Sequence, residues 1–164
     1  MPSVLAVVLQ QYVAELPMGE PVKHTDSISE HNQEAACYDQ QVHEYNSYLH
    51  DALFGMCFEY VTPCGCLLDI GIGTGLASQS FAKIGFEIYG CDGSLEMLKA
   101  CEEKAFAKEL KTHELHNAPL PYSDRFFEHV ICCGVLHFFS DLEIIFREVF
   151  RVINSKATPC ARYP

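Results

Sequence analysis

From Cys66 the chain reads Cys-Leu-Leu-Asp-Ile-Gly-Ile-Gly-Thr-Gly, and from Leu76 an apolar-polar pattern of helical period begins. A short apolar run that ends in an acid and opens into glycine at alternate positions predicts a buried strand, a tight turn and a helix. Glycine carries no Cβ, so a turn of this kind lets backbone N–H groups approach a ligand closely. It also delivers that ligand to the start of the following helix, where unpaired N–H groups gather. Asp69, at the strand's end, adds a hydrogen-bond acceptor facing the same crevice. The unit restricts the chain to folds in which a strand feeds a crossover helix.

The rest of the sequence extends that alternation. A strand is predicted over Phe86–Gly90, then a helix from Ser94 to about Ala105 with Leu95, Leu98 and Cys101 on one face. A weaker third strand follows at Leu110–Leu115, then a proline-containing loop from Asn117 to Asp124, then a fourth strand at His129–Gly134. Ser140-x-x-Glu143 reads as a capping box for a last helix whose apolar positions are 142, 145, 146, 149, 150 and 153. Upstream, Ser27-x-x-Glu30 is a second capping box, predicting a helix from about residue 28. Val42, Tyr45, Tyr48, Leu49, Ala52, Leu53, Cys57 and Tyr60 fit one amphipathic helix over 40–60, ended by Pro63 and Gly65. The expected architecture is a Rossmann-like three-layer α/β/α sandwich with a parallel sheet and right-handed crossovers. Its expected divisions are an N-terminal segment and linker over 1–27, a domain over 28–153 and an irregular tail over 154–164.

Bulk properties narrow the partners. The 164 residues are 49% hydrophobic, enough for one domain with its own core. Twenty-two acids against eleven Lys and Arg give a net charge of −11, which argues against nucleic acid, whose phosphates need a basic surface. Nine cysteines form an odd number at irregular spacings, without the paired CxxC of a zinc site, so they read as reduced thiols of a cytoplasmic protein. The eight histidines do not cluster at ligand spacing, and no metal site is expected. The apolar run Val4–Leu9 lacks a basic flank and is too short to span a bilayer, so no membrane role is expected.

Ligands of such sheets bind beyond the carboxyl ends of the strands. Three elements gather there: Asp69, the glycines 71, 73 and 75, and Asp92 just past the second strand. An acid in that last place accepts hydrogen bonds from ribose hydroxyls. A dinucleotide fingerprint would place a small residue at position 76, where this chain has Leu76, so a nicotinamide-dependent oxidoreductase is the weaker nucleotide reading.

Asp69-Ile70-Gly71-Ile72-Gly73-Thr74-Gly75 resembles the first motif of the class I S-adenosylmethionine-dependent methyltransferases, an acid followed by three alternating glycines. Ile88 to Leu98, with Cys91-Asp92-Gly93-Ser94 and a closing Met97-Leu98, resembles the family's second region. Asn117-Ala118 with Leu120-Pro121 resembles the segment that meets adenine, although Asn117 stands where Asp is usual. Phe126–Phe139 resembles the fourth strand and its exit, and Tyr38-Asp39 after Glu34-Ala35-Ala36 resembles the N-terminal helix of the small-molecule branch. The resemblance covers about 34–153, and within the family the chain is similar to the animal methyltransferase-like proteins of the Williams–Beuren-region type. It implies that S-adenosyl-L-methionine is the cofactor, with Asp69 and the 71–75 backbone facing the methionine moiety and Asp92 and Gly93 at the ribose. It also implies that Asn117 and Ala118 flank the adenine, that Tyr38 closes over the cofactor and that Cys133 lies at the site. A small-molecule methyl acceptor is implied as the other substrate. Gly134-Val135-Leu136-His137 after strand four is not the Asn-Pro-Pro-Tyr type used on amino groups of adenine or glutamine. His137 follows the strand where a general base sits in some enzymes, but a structural histidine is the simpler reading, and no catalytic residue is assigned.

After Ile153 the family's pattern stops. The residues from Asn154 onward show no strand pattern, so the expectation is a shortened sheet in the order 3-2-1-4, with strand four at an open edge prone to self-association. An alternative function follows from that expectation: an inactive form that serves as a binding or pairing module.

Overall fold

The computed structural model describes residues 24–61, 63–139 and 141–154, with the side chains of 24–27 left aside. Four parallel strands, β1 (Cys66–Ile70), β2 (Glu87–Asp92), β3 (Ala107–Thr112) and β4 (His129–Ile131), form one sheet in the order β3-β2-β1-β4. The helices are α1 (His24–Glu34), α2 (Tyr38–Glu44), α3 (Leu49–Phe58), α4 (Leu76–Lys83), α5 (Leu95–Glu103) and α6 (Glu143–Val152). A 3₁₀ turn at Leu136–Phe138 follows β4. The expected strand order and parallel three-layer architecture are both present.

Side chains alternate across a strand, so a central parallel strand must be apolar on both sides. In β1, Leu67 faces a cluster with Leu53 and Cys57 of α3, Phe81 of α4 and Leu98 and Cys101 of α5. Leu68 faces the other way, into Phe127, Val130 and the Ile145, Val149 and Val152 stripe of α6. Phe81 is fully buried, its ring set edge-on to Phe54 at 5.0 Å and Phe86 at 6.1 Å. Burying a side chain of that size contributes about 1.5–3 kcal/mol. These two clusters cover the two faces of the sheet and leave the carboxyl ends of β1, β2 and β4 bordering one crevice.

Several boundaries differ from the sequence reading, each for a local reason. The helix over 40–60 is two helices, α2 and α3, because Asn46 takes a left-handed backbone with φ of 52°. Asn accepts that conformation more readily than most residues, and the flanking tyrosines hide the break behind a helical spacing. The second helix ends at Phe58, ahead of Pro63 and Gly65. Helical backbone begins at His24, inside the expected linker, so Ser27 is not an N-cap. The third strand runs over Ala107–Thr112, three residues earlier than expected, its position masked by Lys108, Glu109 and Lys111, charges that suit an edge strand. Leu95 is exposed, and Met97 joins Leu98 and Cys101 in the core instead. On α6, Val152 is buried whereas Phe150 faces outward.

β4 is three residues long rather than six, and pairs with β1. On its other side, Phe127 forms a parallel bridge with Ile153, and Asn154 donates its N–H to the Phe127 carbonyl at 2.7 Å. The chain after α6 thus returns to the sheet edge, which the sequence pattern did not indicate. The apolar run at 4–9, Ser140 and the tail beyond 154 lie outside the described residues.

Candidate functional site

The turn after β1 is built by backbone bonds to the neighbouring strand. Gly71 and Ile72 both donate to the Cys91 carbonyl, at 2.8 and 3.1 Å, which swings the chain over the end of β2. Gly75 is the N-cap of α4 at φ of 85°, and a Cβ there would stand 2.5 Å from the Phe106 ring and 2.8 Å from Cys101 Sγ. Gly73, at φ of 54°, has open space where a Cβ would project. One glycine therefore serves packing and the other clears room.

Asp69 is buried, and Ser78 Oγ donates to its Oδ2 at 2.8 Å. Its Oδ1 is buried without a hydrogen-bond partner. Burial raises this carboxyl to about 7, against the lowering effect of Ser78. A buried polar atom left unpaired costs free energy, so a partner, a ligand group or a water, belongs beside it. Asp92 uses one oxygen to accept the Gly73 N–H at 2.9 Å and the other to accept the Ser94 N–H at 2.8 Å. Burial pushes its acidity weaker, and those backbone donors partly restore it. Ser94 caps α5 by accepting from Met97 N at 3.1 Å, as its sequence position implies.

A cavity of about 140 Å³ opens between these groups. Tyr38, Asp69, Gly71, Gly73, Asp92 and Cys133 all line it, so the structure brings six of the ten expected site residues together. A smaller chamber of about 60 Å³ adjoins it, shares Gly71 and Asp92, and adds Gly93, Leu115 and Phe139. Gly75 stands behind the loop rather than on the wall. Asn117 and Ala118 are exposed and line neither space; the Asn117 side chain donates to Glu114 Oε2 at 3.2 Å. Leu115, two residues earlier and buried, presents to the smaller chamber from that segment instead.

The cavity is acidic at its floor. No Lys or Arg lines either chamber among the described residues; His31 and His50 are the basic side chains there. Burial raises the Tyr38 phenol and lifts the Cys133 thiol to about 12, so both are neutral at ordinary pH. His137 lies in the 3₁₀ turn, off the lining of both chambers, with burial and His31 disfavouring its charged form. The described residues hold no group of three or more His, Cys, Asp or Glu placed for a metal ion.

Several contributors escaped the sequence reading. Val135 and Phe138, after β4, line both chambers. Thr74, set between two glycines, is buried, and its hydroxyl donates to Asp39 at 2.6 Å. The signal for Asp39 was present, since it adjoins Tyr38 in the same motif.

A family model described as a methyltransferase domain matches residues 68–158, more than half of the chain. The chain belongs to the methyltransferase domain family. This methyltransferase domain is 33% identical over 90 residues to a demethylmenaquinone methyltransferase of Streptomyces griseus, a match covering 55% of the chain and 38% of that relative. The chain thus spans about two fifths of the length of that curated relative. Among solved structures, YcgJ of Bacillus subtilis is 27% identical with a TM-score of 0.53, covering 61% of this methyltransferase domain and 45% of its own chain. A TehB-like SAM-dependent methyltransferase of Corynebacterium glutamicum has the same fold with a TM-score of 0.63 at 16% identity, covering 77% and 68% of the two chains. The described helices of the domain include none long and apolar enough to cross a membrane.

Proposed function

We propose that the chain binds S-adenosyl-L-methionine in the two adjoining chambers and transfers its methyl group to a small-molecule acceptor. The observation that carries this reading is the unpaired Oδ1 of Asp69 beside the open space at Gly73, both on the wall of one cavity. Family membership and a solved neighbour named as SAM-dependent support it. The donor supplies a sulfonium-bound methyl group primed for in-line displacement.

What the chain's own residues contribute is placement and dielectric. Asp69, fixed by Ser78, puts a buried carboxyl group beside the glycine loop, where a cation is favoured. Asp92 holds the loop's Gly73 and keeps lone pairs for hydroxyl donors, as a ribose-binding acid does. Gly93, Leu115 and Phe139 give the smaller chamber flat apolar walls suited to a purine ring. Leu115 meets the ring from the segment that carries Asn117 and Ala118, which are exposed and line neither chamber. Tyr38, neutral and half-buried, covers the larger chamber and limits water. With acids and no Lys or Arg on the wall among the described residues, a neutral acceptor fits better than an anionic one. No observation favours the alternative of a pairing module without activity.

Calorimetry with S-adenosylmethionine, S-adenosylhomocysteine and NADH tests the reading. Micromolar binding of the first two and not the third is expected; a folded, monodisperse chain that binds neither sulfur ligand overturns it.

A further inference from the structure

α2 buries none of its seven residues, yet it carries Tyr38 and Val42 into the cavity wall. A helix this short is not stable alone, and without a buried side chain it gains little from the core. Its Gln40–Glu44 and Gln41–Cys37 bonds stay local. Among the described residues, what ties α2 side chains by hydrogen bond to the rest of the fold is the carboxylate of Asp39. One oxygen accepts from Thr74 Oγ at 2.6 Å, and the other accepts from Lys104 Nζ. Thr74 is in the glycine loop and buried, so its hydroxyl depends on that partner. Lys104 is the C-cap of α5, where a cation also meets the helix's negative end. Asp39 therefore joins three elements that border the cavity: the cover, the loop and the helix behind it.

We infer that Asp39 is a positioning residue that latches α2 onto the glycine loop, so that Tyr38 stays over the ligand and Thr74 keeps the loop's shape. Because α2 supplies no core, opening the latch exposes the cavity without unfolding the sheet. Ligand escape, rather than capture, is then the step that the latch controls. The inference rests on the proposed donor site for its ligand, but its structural half is readable without ligand.

The test uses the full chain with Asp39→Asn and Lys104→Met, S-adenosylhomocysteine as the probe, stopped-flow rates, and amide exchange of the free proteins. Loss of one charge-assisted bond weakens binding about 10-fold or more. The expected result is that loss in Asp39→Asn, carried by a faster off-rate, with a smaller loss in Lys104→Met. Exchange over 38–44 quickens in both, while Tm stays within about 2 °C of the parent because no core contact is removed. Wild-type off-rate and wild-type exchange in Asp39→Asn overturn the latch. A Tm drop of several degrees with faster exchange in β1 and β2 overturns it too, by showing a general structural role. If the parent chain itself binds no S-adenosylhomocysteine, the donor site fails, and unchanged exchange over 38–44 in the variants then separately overturns the latch.

Discussion

The Gly73 N–H donates to Asp92 Oδ2 at 2.9 Å, so the turn after one strand is held by the acid that ends the next. The same carboxylate caps the entry to α5 through Ser94 N. A ligand that hydrogen-bonds Asp92 therefore meets a group whose direction is already set by two backbone donors.

Replacing Asp92 by alanine removes both of those acceptors and the proposed hydroxyl contacts together. Hydrogen bonds to charged groups contribute about 1.5–3 kcal/mol each, so S-adenosylhomocysteine affinity is expected to fall by about 100-fold. Core packing is untouched, and the chain should remain folded by circular dichroism. Retained affinity would remove Asp92 from the site.

Protonation of Asp69 should be linked to binding. Its carboxyl sits near 7 in the free protein, well above the usual carboxylate value, because burial disfavours the charge. A cation placed beside it favours ionisation, so binding S-adenosylmethionine at pH 6 should release a proton, and affinity should rise as pH increases toward 7. Calorimetry in buffers of different ionisation enthalpy reads the proton count; Asp69→Asn should release none. The same shift sets a stability trend. The folded value is raised, so this group's contribution is full below the unfolded value near 3.8 and is lost as pH rises through about 7. Free Asp69→Asn should show a flatter Tm profile over that window.

Alanine at Gly73 and at Gly75 should separate binding from folding. Both positions carry positive φ, which costs a side chain about 1–2 kcal/mol. At Gly73 the added methyl enters open space in the cavity wall, so Tm falls by a few degrees while ligand binding is lost. At Gly75 it meets the Phe106 ring and Cys101 Sγ, so the destabilisation is larger by about 1–3 kcal/mol of overpacking. Equal Tm values for the two variants would contradict this division.

Arg151 is expected to hold the 120–124 loop. Its guanidinium donates to the Leu120 and Tyr122 carbonyls at 3.0 and 2.8 Å and to Glu148 Oε2 at 2.6 Å, while Glu148 Oε2 accepts the Leu120 N–H at 2.7 Å. Arg151→Leu should cost about 2–3 kcal/mol in urea unfolding. Arg151 also holds the Glu148 carboxyl below its usual value, so that stabilisation is present above the unfolded value and fades as pH falls through the folded one. The stability difference between parent and Arg151→Leu should shrink in acid; a constant difference would count against the pair.

The parallel sheet and the glycine turn were readable in the sequence because each rests on a local pattern. The strand Cys66–Ile70 and the helix Leu76–Lys83 fall on either side of the glycine turn as its pattern predicts, since a continuous apolar run and a glycine cap leave little choice. Ser94 was readable for the same reason. The break at Asn46 was not, because one left-handed residue interrupts a spacing that still fits a helix. Nor was β3, whose alternation is carried by lysine and glutamate at a sheet edge. Within the site, Asp69 and Asp92 announced themselves by position, whereas Val135 and Phe138 reach the cavity through a turn that only tertiary packing defines. Asn117 and Ala118 illustrate the opposite: a motif can be present while its side chains point to solvent.

The uneven burial of the thiols has a practical consequence. Burial lifts Cys91, Cys101 and Cys133 to about 12 and Cys57 to about 11, which leaves almost no thiolate at neutral pH. Cys37, by contrast, is exposed and forms the N-cap of α2. With Cys64 and Cys160 changed to serine, a maleimide dye should attach preferentially at Cys37, adjacent to Tyr38. The chain thus supplies its own attachment point for a fluorescence reporter on the element that covers the cavity, with no engineered cysteine needed.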